Sequence, residues 1–186
     1  AVPRKPRLAL PSKWLRGRLQ AGVREVFEKR LANLKRAGAT ITEVDAPMIA
    51  RGWEAYSPLV RAEAAWVHRQ ALAEGGEGFS DLVLPPLKLG LNVSAADYIG
   101  ALKVRGALIA ELEAILADHD ALIMPGNAVL PPLRGQTEVD TEGGKMSVRD
   151  AVLGQTASFS LAGLPALVLP TEQVDGLPTS LQLVAR

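Results

Sequence analysis

The sequence predicts an α/β protein, a mixed and largely parallel sheet flanked by helices, in one domain covering residues 1–186. Three observations carry this reading. Short apolar runs that stop on proline alternate with longer segments whose apolar residues recur at three- and four-residue steps. The first three such segments read strand, helix, strand, the order that parallel pairing requires. The last two runs, Ala166-Leu-Val-Leu169 and Ser180 to Val184, flank the turn-forming Gly176-Leu-Pro178.

Taken in order, Leu8-Ala-Leu10 is a short strand. Leu19, Val23, Val26, Phe27, Leu31 and Leu34 then mark an amphipathic helix that stops at Gly38. Thr40 to Asp45, with Ile41 and Val44, is a strand ended by Pro47. A second helix is expected from Ser57, with Pro58 in its first turn, through Val60, Ala64, Val67 and Ala71 to the Gly75-Gly76 break. Trp53, Tyr56 and Trp66 are read as core. Ser94 and Asp97 form a capping pair for the longest helix, whose apolar face is Tyr98, Leu102, Leu108, Ile109, Leu112, Ile115 and Leu116. It ends near Asp118-His119-Asp120, where an imidazole can meet the last carbonyls. Ala121-Leu-Ile-Met124 and Ala166 to Leu169 are both expected as fully buried strands. Gly126 to Ser147 is loop-rich, and a helix follows from Val148.

Composition narrows the function. With 48% hydrophobic residues and a net charge of +1, the chain suits a soluble globular protein and lacks the strong basic excess of a nucleic-acid binder. Absence of cysteine excludes disulfides, thiolate catalysis and thiolate metal sites. No apolar run reaches the ~18 residues of a membrane span, no targeting segment is read, and a cytoplasmic protein is expected. A chain that opens on Pro3, Pro6 and a strand suggests sequence upstream of Ala1.

A serine nucleophile needs a base within hydrogen-bond reach, and no serine here lies in a glycine-flanked elbow. Ser12 with Lys13 is a neighbour pair whose side chains point apart, and Lys145 with Ser147 reads as loop chemistry. His68 and His119 have no second ligand at metal-site spacing. Gly75-Gly76-Glu-Gly78 is a helix stop and no phosphate loop. The basic run Arg4, Lys5, Arg7, Lys13, Arg16, Arg18 has only Trp14 among it and reads as a solvated or interface surface. The expectation is therefore no catalytic residue, no metal and no cofactor in this chain.

Four sets of residues carry a family resemblance. Arg7-Leu-Ala-Leu10-Pro11, a helix, and Gly38-Ala39-x-Ile41-x-Glu43-Val44 form the first. Ser94-Ala95-x-x-Tyr98-x-x-Ala101-Leu102-x-x-Arg105, leading to Asp120-Ala-Leu-Ile-Met-Pro125, is the second. The third, and most specific, is Phe159-Ser-Leu-Ala-Gly163-Leu-Pro165-Ala166 followed by Gly176-Leu-Pro178-x-x-Leu181-Gln182-Leu183. These resemble the amidase-signature family from its middle to near its C-terminus. The fourth is negative: the family usually continues past the last strand, whereas this chain stops at Arg186.

The resemblance implies hydrolysis of a carbon-nitrogen amide bond by a serine, a second serine on a cis peptide, and a lysine, all in the half expected before Ala1. This chain would then contribute part of a larger sheet and the substrate-binding residues Pro125, Gly126, Asn127, Ser158, Phe159 and Ser160. Packing explains Phe159 equally well. Gly126 stands where the family commonly has threonine, and Ser160 where it has asparagine. In one branch, the A subunit of tRNA-dependent glutamine amidotransferases, an arginine and an aspartate hold glutamine; Pro86 and Leu153 stand at those places, which favours a neutral amide. A non-catalytic binding or structural half is the alternative from another class, and the A subunit is the disfavoured one. The implied partners are a small-molecule amide and either a second copy or the absent N-terminal half, through an exposed edge strand and apolar face.

Overall fold

The computed structural model describes residues 5–186; Pro3 and Arg4, named above, lie outside the described residues. The chain opens with β1 (Arg7–Leu10), a single turn α1 (Ser12–Leu15), α2 (Ala21–Arg36) and β2 (Thr40–Glu43). Val23 and Phe27 give α2 its buried stripe. At its end Ala39 N–H bonds Leu34 C=O and Gly38 N–H bonds Lys35 C=O, a Schellman closure that the left-handed φ of +97° at Gly38 permits. The chain therefore reverses at once, and β2 pairs parallel to β1 with Leu8 opposite Ile41.

A helical layer follows: α3 (Met48–Val67), α4 (Arg69–Ala73), α5 (Leu84–Gly90) and α6 (Ala95–Asp118). The helix expected from Ser57 begins nine residues earlier, and Pro58 sits inside it. Ile49, Gly52, Ala55, Leu59 and Ala65 are buried along one side of α3, so packing on both sides of the proline outweighs the missing hydrogen bond. The start of α3 is capped from outside, Met48 N–H donating to the Glu111 carboxylate of α6 at 3.0 Å. α6 carries its own cap: Asp97 N–H donates to Ser94 Oγ at 3.0 Å, and Ser94 Oγ–H donates to the Asp97 carboxylate at 2.7 Å. His119 Nδ1 meets the Ile115 carbonyl at 2.7 Å, as expected for a helix end. Of the three aromatics read as core, Trp53 and Tyr56 are half-buried and stack at 6.0 Å. Trp66 is 67% exposed, with the Arg69 guanidinium over its ring.

The last third supplies β3 (Ala121–Pro125), the hairpin β4 (Glu138–Thr141) and β5 (Gly144–Ser147), α7 (Val148–Leu153), α8 (Ala157–Ala162), β6 (Ala166–Val174) and β7 (Leu177–Val184). The hairpin occupies part of the stretch read as loop; it is a polar, two-stranded sheet whose sequence carries little apolar alternation. The turn between β6 and β7 is Asp175-Gly176, both at positive φ, so Leu177 and Pro178 already belong to the strand.

The main sheet has the order β2-β1-β3-β7-β6. β2, β1 and β3 are parallel, while β7 runs antiparallel to both β3 and β6. Four strands thus share one direction, which is the mixed, largely parallel α/β sheet expected. α2 covers one face and the α3, α6, α8 layer covers the other over the central strands. Every residue of β3 is buried. The second apolar run, read as an equally buried strand, is not: Leu167 is 56% exposed, Val168 53% and Leu169 40%. Its composition is that of a core strand, but it lies at the sheet edge with neither face fully covered. Among the described residues no helix is long and apolar enough to cross a membrane.

Leu108 is fully buried where α6 meets α3. Leu108→Ala is expected to lower stability by about 2–5 kcal/mol, measured by urea unfolding. Desolvation raises the pKa of Glu111 against the opposing bond from Met48. A carboxyl raised in the folded state binds its proton more tightly than when unfolded, so stability falls as pH rises from the ordinary carboxyl range to the raised value. Urea midpoints measured across that window should decline in the wild type and flatten in Glu111→Gln.

Candidate functional site

The sheet has a topological switch between β1 and β3. After β1 the chain crosses one face through α2; after β3 it passes to the other face through α7 and α8. In open α/β sheets ligands bind outside the C-terminal ends of the strands at such a point. Two segments meet there, the Pro11–Gln20 turn after β1 and the loop after β3. Gln20 ties them together: its N–H donates to Ala128 C=O at 2.9 Å, and its side-chain oxygen accepts from Leu130 N–H at 3.0 Å. On the other side Gly126 N–H donates to Ser180 C=O of β7 at 2.9 Å.

The structure divides the six expected binding residues. Pro125 and Gly126 are buried at the end of β3, and Asn127 is exposed just beyond. Ser158 and Phe159 are buried in α8; Ser158 Oγ donates to Ile49 C=O at 2.7 Å, and Phe159 is 1% exposed within the core. Both hold α8 against α3. Ser160 is exposed and lines a cavity of about 340 Å³ with Tyr56, Glu63 and Arg105, in the helical layer. The two triplets are linked through the sheet, since Gln182 lies opposite Met124 and its side chain donates to Gln155 C=O at 3.0 Å.

Ser12 and Lys13 do not form a dyad: Ser12 Oγ–H donates to Glu43 at 2.7 Å, and Lys13 Nζ pairs with Asp45 at 2.5 Å. Ser147 Oγ caps α7 by accepting from Asp150 N–H, and Lys145 pairs with Glu138. Among the described residues no three His, Cys, Asp or Glu side chains cluster for a metal.

Two features went unrecognised in the sequence. Arg18 stacks 3.9 Å over the Trp14 ring and donates to Asp150 C=O at 3.3 Å, while Trp53 Nε1 donates to the Asp150 carboxylate at 3.0 Å. Burial lowers the Arg18 pKa and the Asp150 charge opposes it, so this cation is locally compensated. The i,i+4 spacing of Trp14 and Arg18 was the available signal. The second is Ser180, half-buried beside Gly126, which only the strand register could reveal.

Gln155 and Gln182 are both buried, with opposite consequences. Gln182 satisfies a backbone carbonyl, whereas the Gln155 carboxamide has no partner among the described residues. Gln182→Met should therefore cost about 1–3 kcal/mol, while Gln155→Met should be neutral or stabilising; paired thermal melts of the two variants check the contrast.

The amidase family model, described as "Amidase", matches residues 1–186. The A subunit of the glutamyl-tRNA(Gln) amidotransferase of Symbiobacterium thermophilum is 29% identical over 97% of this chain and 41% of its own length. The corresponding protein of Lactobacillus johnsonii is 30% identical over 97% and 41%. A solved structure described as "Crystal structure of amidase" superposes with a TM-score of 0.92 at 39% identity, over 98% of this chain and 42% of that one. The chain thus spans about two fifths of the length of the relatives it matches. The sheet, its switch point and the match along residues 1–186 together make this chain a member of the amidase family.

Proposed function

We propose that residues 1–186 act as one unit, the C-terminal half of an enzyme that hydrolyses a carbon-nitrogen amide bond of a small neutral substrate in the cytoplasm. In this reading the chain supplies sheet strands and one wall of the substrate pocket, and another segment supplies the serine nucleophile and its base. The observation that carries it is the chemistry of the switch-point end. Its β3–β7 side presents the Asn127 carboxamide and the Ser180 hydroxyl, exposed Lys13 and Arg16 lie on its β1 side, and each serine with a lysine nearby in sequence is bonded elsewhere. Uncharged donors and acceptors suit a neutral amide. The pocket-wall role falls to Pro125, Gly126 and Asn127, with Ser160 exposed beside a cavity on α8 and Ser158 and Phe159 setting the position of that helix.

The exposed β6 edge fits the same reading. Leu167, Val168 and Leu169 belong to an exposed apolar edge strand, paired with β7 on one side, that the nucleophile-bearing half would cover. A second reading, the A subunit of a glutamyl-tRNA(Gln) amidotransferase, is favoured by the names of the curated relatives. Exposed Pro86 and Leu153, both uncharged, weigh against it, because a zwitterionic substrate needs charged partners.

The isolated chain is expected to show no amide turnover and no labelling by a serine-directed fluorophosphonate; stoichiometric labelling would overturn the division of labour. A chimera in which this chain replaces the matching two fifths of the 39%-identical amidase should release ammonia from benzamide and not from glutamine. Glutamine preference would select the second reading instead. Without its covering half the chain should self-associate, and Leu167→Glu should shift it toward monomer in light scattering.

A further inference from the structure

We infer that Ser180 is a substrate-binding residue whose hydroxyl, presented from β7, fills the space that a side chain at position 126, just past β3, would occupy. The proposal rests on the reading of this chain as the pocket half of an amide hydrolase. A β-carbon at position 126 would collide with Ser180 Oγ, and would lie 3.1 Å from Ser180 Cβ and 3.4 Å from Val168 Cγ1. Gly126 has no left-handed φ, so the backbone itself does not require glycine there. The Ser180 side chain is what excludes a larger residue. Its hydroxyl therefore occupies the place of a residue-126 side chain, at the C-terminal end of β3 and beside the exposed Asn127.

The hydroxyl has no hydrogen-bond partner among the described residues, and Ser180 is not fully buried. Strand alternation places Ser180 and Val168 on the same face: Pro170 pairs with Ser180 and Val168 with Gln182, so Val168, Pro170, Ser180 and Gln182 all point to one side. Val168, 53% exposed, adds an apolar surface next to the hydroxyl. A hydroxyl that can donate or accept, a carboxamide and an apolar wall fit a primary amide on a small apolar acyl group.

The test uses the chimera with benzamide as the probe, reading binding by saturation-transfer NMR separately from ammonia release. Ser180→Ala keeps the β-carbon and should weaken benzamide binding by roughly three- to tenfold, the value of one neutral hydrogen bond. Ser180→Thr should retain binding. Gly126→Thr alone should weaken it, and Gly126→Thr with Ser180→Gly should restore it to within about threefold by returning the hydroxyl from β3. Equal binding by wild type and Ser180→Ala overturns the proposal, as does absence of benzamide binding in the wild type. Binding that depends on Ser180 without ammonia release overturns the hydrolase reading and leaves the subsite standing.

Discussion

The antiparallel pairing of β3 with β7 is the constraint from which the rest of the site is built. Pro125 lies opposite Leu181 and Met124 opposite Gln182, so the last strand of the chain runs beside the most buried one. A single-residue slip would exchange the two faces of β7, sending Gln182 away from Gln155 and Ser180 away from Gly126. The register thus fixes two different things at once. On one side of the sheet it sets the hydrogen bond that anchors the turn before α8, and near the strand end it sets which hydroxyl reaches the switch point.

The same pairing explains why an apolar strand is left at the edge. β7 is occupied on both sides, by β3 and by β6, and among the described residues β6 has only one partner. Its run Leu167-Val168-Leu169 has the composition of an interior strand, as in sheets covered on both faces. α2 reaches β6 through Glu172, which pairs with Lys29 and Arg30 and has its pKa lowered first by a bond from its own backbone N–H and further by those cations. That contact holds the far end of the strand while its apolar centre stays open.

In the helical layer, burial concentrates where α3 passes α6 and α8. A β-carbon at Gly52 would stand 2.7 Å from Leu108 and 3.0 Å from Ser158 Oγ, so side chains of α6 and α8 rest directly on the α3 backbone. Ser158 spends its hydroxyl on the Ile49 carbonyl there. Ser158 and Phe159, two of the residues expected to bind substrate, are thus buried where α8 packs on α3.

The strand-helix-strand order, the Schellman stop at Gly38, the Ser94–Asp97 cap and the buried β3 were all legible in the sequence, because each depends on local spacing or on a residue's own backbone preference. So was membership of the family, carried by Gly163-Leu-Pro165-Ala166 and Gly176-Leu-Pro178-x-x-Leu181-Gln182. The start of α3 was not, since its cap comes from Glu111, 63 residues away, and Pro58 is tolerated only through packing. Exposure of β6 depends on its place in the strand order, and the orientation of Ser160 depends on where α8 docks. The sequence by itself determined the strand-helix-strand opening, the longest helix and the buried β3. Only the tertiary structure decided that Ser180 stands where a residue-126 side chain would stand, because that relation exists across a strand pairing and in no local pattern.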